Sequence, residues 1–90
     1  FLPLKKGRKT LLQNLLEEKR TVIFYESPHR ILRTLKECQA VFIPETQVVM
    51  ARELTKIHEE FLRGTFEGVR ATLLQRPSIK GEIVVLFKNP

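Results

Sequence analysis

Three short apolar runs decide most of what this chain can fold into. TVIFY (21–25) is β-branched and aromatic throughout, the composition that suits a pleated surface, and QVVMAR (47–52) and GEIVVLF (81–87) read as two further strands. TVIFY and GEIVVLF carry apolar residues at successive positions. That pattern predicts strands buried on both faces, and with them a parallel or mixed sheet. The segments between these runs have helical spacing. Leu11, Leu12, Leu15 and Leu16 share one face of a helix expected over roughly 8–18. Ile31, Leu35, Cys38 and Phe42 recur at i, i+4, i+7 and i+11, a core-facing stripe. Ser27 suits an N-cap and Pro28 the first helical position. Thr65 suits the cap of a last helix that would bury Phe66, Val69 and Leu73. Residues 60–64 predict a short returning strand. The chain is therefore expected to be α/β, with an α+β-like mixed sheet of about four or five strands flanked by three helices.

Ninety residues suit one domain, 1–90. At 42% hydrophobic and 29% charged residues the chain has the balance of a globular protein. No apolar run approaches the ~20 residues that span a bilayer, so no membrane association is expected. Cys38 has no second cysteine to pair with, which points to a reducing, cytoplasmic setting. The sequence opens on Phe1, and FLP reads as the end of an element. A piece of a longer chain is expected, with part of any site lying outside it.

The net charge of +6 is unevenly spread. Residues 1–36 hold nine Lys/Arg against three Asp/Glu, whereas 37–90 hold seven of each. A localised basic region favours a polyanion such as RNA, although a solubilising surface has the same composition.

In alternating folds, ligands gather where strands end. That rule nominates residues 25–30 and 52–58. In YESPHR (25–30), Ser27 and Pro28 are explained by starting a helix. His29 and Arg30 are not, because cations in a first helical turn oppose the helix dipole; a nearby anion would offset this. ARELTKIHEE (51–60) places Arg52, Glu53, Lys56, His58, Glu59 and Glu60 just after a strand. Position 62 is Leu, so HExxH is not met and zinc is not indicated. Neither GxSxG, a Walker loop nor GxGxxG occurs. Lys5, Lys6, Arg8 and Lys9 make a basic loop suited to phosphates. Gly81, in KGE (80–82), is either a turn residue or a point of close ligand approach.

Taken together, FLPLKKGRK, TVIFYESPHRIL, VVMARELTKIHEEFLRGTF and KGEIVVLF resemble the second domain of the bacterial small-subunit ribosomal RNA ribose 2′-O-methyltransferase I family, within the tetrapyrrole methylase superfamily. The resemblance runs the length of the chain, and YESPHR and RELTK followed by HEE are its most specific parts. It implies an S-adenosylmethionine-dependent enzyme that methylates the ribose 2′-hydroxyl of a cytidine in 16S ribosomal RNA. In similar enzymes the donor lies between two domains. The second lines the adenosine side, which here implies Tyr25, Glu26, Ser27, Arg52, Glu53, Lys80, Gly81 and Glu82 as cofactor contacts. The first, donor-binding domain has no counterpart in this sequence, so the 90 residues alone are expected to be inactive.

A ribose hydroxyl needs a base to take its proton or a cation to stabilise the developing oxyanion. Glu26, His29, Lys56, His58 and Glu59 are of suitable type, with Glu26 and Lys56 preferred as catalytic residues. Lys5, Lys6, Arg8, Lys9, His29, Arg30, Lys56 and His58 are expected to face RNA. The superfamily also implies a possible homodimer. The competing readings are a non-catalytic basic RNA-binding module and a relative that methylates a tetrapyrrole or other small molecule.

Overall fold

A computed structural model describes residues 8–54 and 56–90. Among these, three α-helices and four strands follow in the order α1 (Arg8–Asn14), β1 (Val22–Glu26), α2 (Ile31–Val41), β2 (Gln47–Arg52), β3 (Glu60–Gly64), α3 (Phe66–Leu74) and β4 (Ile83–Lys88). A single 3₁₀ turn, Leu15–Glu17, extends α1. Each expected strand and helix is present, with boundaries displaced by up to a few residues.

The sheet differs from expectation in its pairing. Its order is β1-β4-β2-β3, and all three pairings are antiparallel. The apolar runs were expected to signal a parallel or mixed sheet, but here they reflect an antiparallel sheet whose second face is also apolar. Phe24 and Glu26 of β1 point into the core, while Ile23 and Tyr25 are 58% and 54% exposed. β1 is therefore covered on one face only, contrary to the sequence reading. Val49 and Leu86 are half-buried on that same outer face, and Phe61 is exposed beside them.

The helices pack on the inner face. Ile31, Leu35 and Cys38 of α2 are buried as the stripe predicted, and Phe42 follows just beyond the helix end. Phe42 stacks on Phe66 of α3 at 5.6 Å between ring centroids and tilts onto Phe87 of β4 at 4.6 Å. Phe24 meets Phe87 edge-on at 6.5 Å. These aromatic contacts tie both helices to the central strand β4 and, through Phe24, to the edge strand β1, and offset or edge geometry adds to simple area burial. Burial also pushes the Cys38 thiol up to about 12, so this cysteine is a small core hydrophobe with an inert thiol.

The two helix starts differ. Thr65 caps α3 as expected, its hydroxyl accepting from the Gly68 N–H at 3.0 Å. α2 has no side-chain cap. Its first helical residue is Ile31, and Ser27 and Pro28 lie in the turn before it. The Ser27 carbonyl accepts from the Arg30 and Ile31 N–H groups at 3.1 and 3.0 Å. Its hydroxyl is buried without a hydrogen-bond partner. The expected Ser27 cap is thus replaced by a main-chain turn, and Glu26 takes over the role of acceptor.

Candidate functional site

The antiparallel register brings three separate segments to one end of the sheet. Glu26, the last residue of β1, lies opposite Ile83, the first of β4, and Ile83 lies opposite Arg52, the last of β2. The segments 25–27, 52–53 and 80–82 therefore sit side by side; the first two lie where the strand-end rule pointed, and the third precedes the start of β4. A shallow depression of about 200 Å³ is lined by Tyr25, Glu26, Ser27, Pro28, Gly81, Glu82 and Ile83. A second, of about 70 Å³, lies across Tyr25 and Glu82 on the outer face and reaches Ala51 and Leu54.

Two of these segments are latched together. The Glu53 N–H donates to the Glu82 carbonyl at 2.9 Å, and the Glu82 N–H donates to Glu53 Oε1 at 2.9 Å. Glu53 has φ 56, the left-handed region that non-glycine residues seldom occupy. Gly81 has φ 94, and the Glu53 carboxylate lies over it where a side chain would stand. The glycine thus marks a close approach by part of the protein itself. Lys56 Nζ closes the latch, 2.8 Å from Glu82 and 3.0 Å from Glu53. The Lys56 cation, with the Glu82 N–H, holds the Glu53 carboxyl below its ordinary range. Reciprocally, Glu82 and Glu53 raise the Lys56 ammonium above its own. Lys56 is therefore a committed cation, paired with two carboxylates and unsuited to taking a proton.

Arg52 anchors the same corner from beneath. Its Nε donates to Glu60 at 3.1 Å and its Nη1 to the Lys80 carbonyl at 3.2 Å. Arg76, just past α3, grips Glu60 with both terminal nitrogens at 2.7 and 2.6 Å. The Arg76 fork is the main reason the Glu60 carboxyl is held at about 2, against an ordinary 4.5. A lowered carboxyl stabilises the fold fully above its unfolded value, and that contribution is lost as pH falls towards the folded one. Unfolding free energy followed by circular dichroism is expected to decline between about pH 5 and pH 2. Glu60→Gln should flatten the decline. A residual slope of the same sign should persist, because Glu18, Glu26 and Glu53 are lowered too.

Glu26 does not match the role of catalytic base. Its side chain is 2% exposed, and every neighbour treats it as a fixed anion. Oε1 accepts from the Ser27 N–H at 2.8 Å and Arg30 Nε at 3.1 Å. Oε2 accepts from the Thr34 hydroxyl at 2.5 Å and lies 3.5 Å from Arg8 Nη2. Burial pushes this carboxyl up, but the hydrogen bonds from Thr34, Ser27 and Arg30 outweigh it and leave it below the usual range. A carboxylate so enclosed can neither reach a ribose hydroxyl nor readily accept its proton.

Arg8 is the second correction. It was expected in a phosphate-binding loop, yet its side chain is 3% exposed. It donates to Glu37 Oε1 at 2.8 Å and to the Thr34 hydroxyl. Lys5 and Lys6 lie outside the described residues. Lys9, His29 and His58 are exposed, while Arg30 is about one-third exposed and contacts Glu26. Lys56, Ile57 and His58 form the projecting part of the β2–β3 loop. Among the described residues no cluster of three or more His, Cys, Asp or Glu could hold a metal ion.

Sequence reasoning missed Thr34, Glu37 and Arg76. Thr34 and Glu37 are polar positions on the inward side of α2, and that was the available signal. Arg76 gave none, because its partner is 16 residues away.

The family model for Tetrapyrrole (Corrin/Porphyrin) Methylases matches residues 2–70. The chain belongs to this family. Among its relatives, a ribosomal RNA small subunit methyltransferase I from Haemophilus influenzae is 50% identical over 99% of this chain and 32% of its own length. The proteins of the same name from Synechocystis and Thermotoga maritima are 44% and 47% identical, over 97% and 99% of this chain. They are covered over 31% and 39% of their lengths. This tetrapyrrole methylase chain thus spans about a third of the curated relatives it matches. A solved cobalt precorrin-4 methyltransferase, a cobalamin biosynthetic enzyme, superposes with a TM-score of 0.66 over 93% of this chain and 35% of its own. At 20% identity that likeness establishes the methylase fold alone. Among the described residues, no helix of this methylase chain is long and apolar enough to cross a membrane.

Proposed function

We propose that this chain is the second domain of an S-adenosylmethionine-dependent methyltransferase acting on the ribose 2′-hydroxyl of a cytidine in 16S ribosomal RNA of the small subunit. The observation that carries the proposal is the convergence of residues 25–27, 52–53 and 80–82 at one sheet end, in a chain whose relatives are named small-subunit rRNA methyltransferases. The donor set suits a nucleoside. Tyr25 presents an exposed ring and Glu82 an exposed carboxylate, while the Glu82 N–H and carbonyl and the Lys80 carbonyl are taken up by Glu53 and Arg52. The depressions of about 70 and 200 Å³, and a more open one of about 530 Å³ over Arg52, Glu53, Lys56, Ile57 and His58, are hollows on a surface. They suit one wall of a cleft whose other wall comes from elsewhere in a longer protein.

S-adenosylmethionine, when bound, supplies an electrophilic methyl group. In-line transfer to oxygen depends chiefly on positioning, and the Glu53–Glu82–Lys56 latch would hold this wall rigid. Lys56, fixed as a cation, would stabilise the oxyanion that develops at the ribose oxygen. Glu26, enclosed by Ser27, Arg30, Thr34 and Arg8, is not the base. His29 and His58, both exposed, remain of suitable type to take the proton.

The test uses the whole enzyme carrying this segment, with small subunits and methyl-labelled donor. A single ribose-methylated cytidine is expected on nucleolytic digestion. Lys56→Ala is expected to lower kcat about ten- to a hundredfold. No methyl transfer to RNA would overturn the proposal, and unchanged kcat in the variant would overturn the Lys56 role. The 90 residues alone are expected to transfer no methyl group, having one wall of the cleft. A non-catalytic RNA-binding module would bind the same RNA without any methylation.

A further inference from the structure

A chain of alternating charges runs from the core to the surface of α2. Arg30 Nε lies 3.1 Å from Glu26, which lies 3.5 Å from Arg8. Arg8 lies 2.8 Å from Glu37, and Glu37 lies 3.9 Å from Arg33 Nε. The middle of the chain is buried, with Arg8 at 3% and Glu26 at 2%, whereas Arg33 is 67% exposed. Glu26 and Glu37 together neutralise Arg8 with one charge to spare. Arg30 and Arg33 therefore bring the cluster to a net positive charge. Neither residue's terminal amino groups have a partner among the described residues.

Two facts make a purely structural role insufficient. Arg30 and Arg33 stand at the N-terminal end of α2, where no acid occupies the first turn. Cations are disfavoured there by the helix dipole. They are also three residues apart and so share one face of the helix. Arg30 is held through Nε by Glu26 at 3.1 Å, and Arg33 stands 3.9 Å from Glu37 in a looser ion pair, which leaves the outer edge of each guanidinium fork facing solvent. That edge is the one that binds a phosphate with two parallel N–H donors.

We propose that Arg30 and Arg33 form a preorganised clamp for two neighbouring phosphates of one RNA strand, with Glu26, Arg8 and Glu37 as its buried support. The clamp rests on the RNA-substrate reading above and adds Arg33 to it. Arg8 thus contributes to phosphate binding by positioning other arginines, without touching the strand.

The test is binding of the protein to a fluorescent small-subunit RNA fragment across a salt series. Each single-stranded phosphate contact contributes about 0.7 to the slope of log affinity against log salt. Arg30→Ala and Arg33→Ala are each expected to lower the slope by about 0.7, and the double variant by about 1.4. Arg33→Lys should keep the slope yet bind several-fold more weakly, since it keeps the charge and loses the fork. Arg63→Ala, on exposed β3, should change neither. Arg33 is exposed, so its variant should melt with the parent protein and keeps the test decisive even if Arg30→Ala unfolds. An unchanged slope in Arg33→Ala, with RNA still bound, would overturn the clamp alone. Absence of any RNA binding by the parent protein would overturn the RNA reading and the clamp with it.

Discussion

Glu26→Ala is expected to lower the unfolding free energy by about 3–5 kcal/mol, the usual consequence of breaking a buried ion pair from one side. The reason is what remains behind. Arg8 would stay 3% exposed after losing one of the two carboxylates it pairs with among the described residues, and the Thr34 hydroxyl and Ser27 N–H would lose their acceptor. A domain of this size has roughly 5–10 kcal/mol in total, so the variant should sit close to unfolding at room temperature. Glu26→Gln should cost less, since it keeps the volume and an acceptor oxygen for Ser27, but it still leaves Arg8 undercompensated. Urea denaturation of both variants measures this directly. A loss below about 1 kcal/mol in Glu26→Ala would mean that the carboxylate is dispensable to the fold, and its candidacy as a catalytic group would reopen.

Glu26 also shows how far residue patterns carry. That the end of TVIFY and the start of YESPHR adjoin a site was legible, because strand ends and helix starts leave composition marks that depend only on near neighbours. The same holds for Thr65 as a cap and for Ile31, Leu35 and Cys38 as a buried stripe. What Glu26 does there was not legible. Its partners Arg8 and Thr34 lie 18 residues before it and eight after it, on two different helices, and only the packed fold brings them within reach. Arg8 failed for the same reason: four cations in five positions look like one loop, yet the first turn of α1 rotates Arg8 inward while Lys9 stays exposed. The sheet failed differently. Strands apolar on both faces usually signal parallel pairing because helices cover both sides. Here Ile23, Tyr25 and Phe61 make the second face apolar while no described helix covers it, a patch of the kind that marks an interaction surface.

Gly81→Ala is expected to destabilise the domain by about 2–4 kcal/mol and to disturb the candidate donor wall beyond what stability alone explains. Two effects combine. At φ 94 an L side chain is strained by about 1–3 kcal/mol. The added methyl would also stand 1.8 Å from Glu53 Oε1, so the carboxylate must leave. The end of a glutamate is flexible, but this one receives the Glu82 N–H and the Lys56 ammonium, and displacing it gives up both. The two effects separate in a double-mutant cycle. In a Glu53→Ala background the clash is gone, and Gly81→Ala should cost only the backbone strain. The two substitutions should therefore be less than additive by about 1–2 kcal/mol. Strict additivity would show that the Glu53 carboxylate does not occupy the space over Gly81. In the whole enzyme the same pair reports on function. Glu53 with its carboxylate displaced no longer braces residues 80–82 against 52–53, so Gly81→Ala should raise the KM for the methyl donor at temperatures where the protein remains folded. Arg63→Ala leaves that corner untouched and should not.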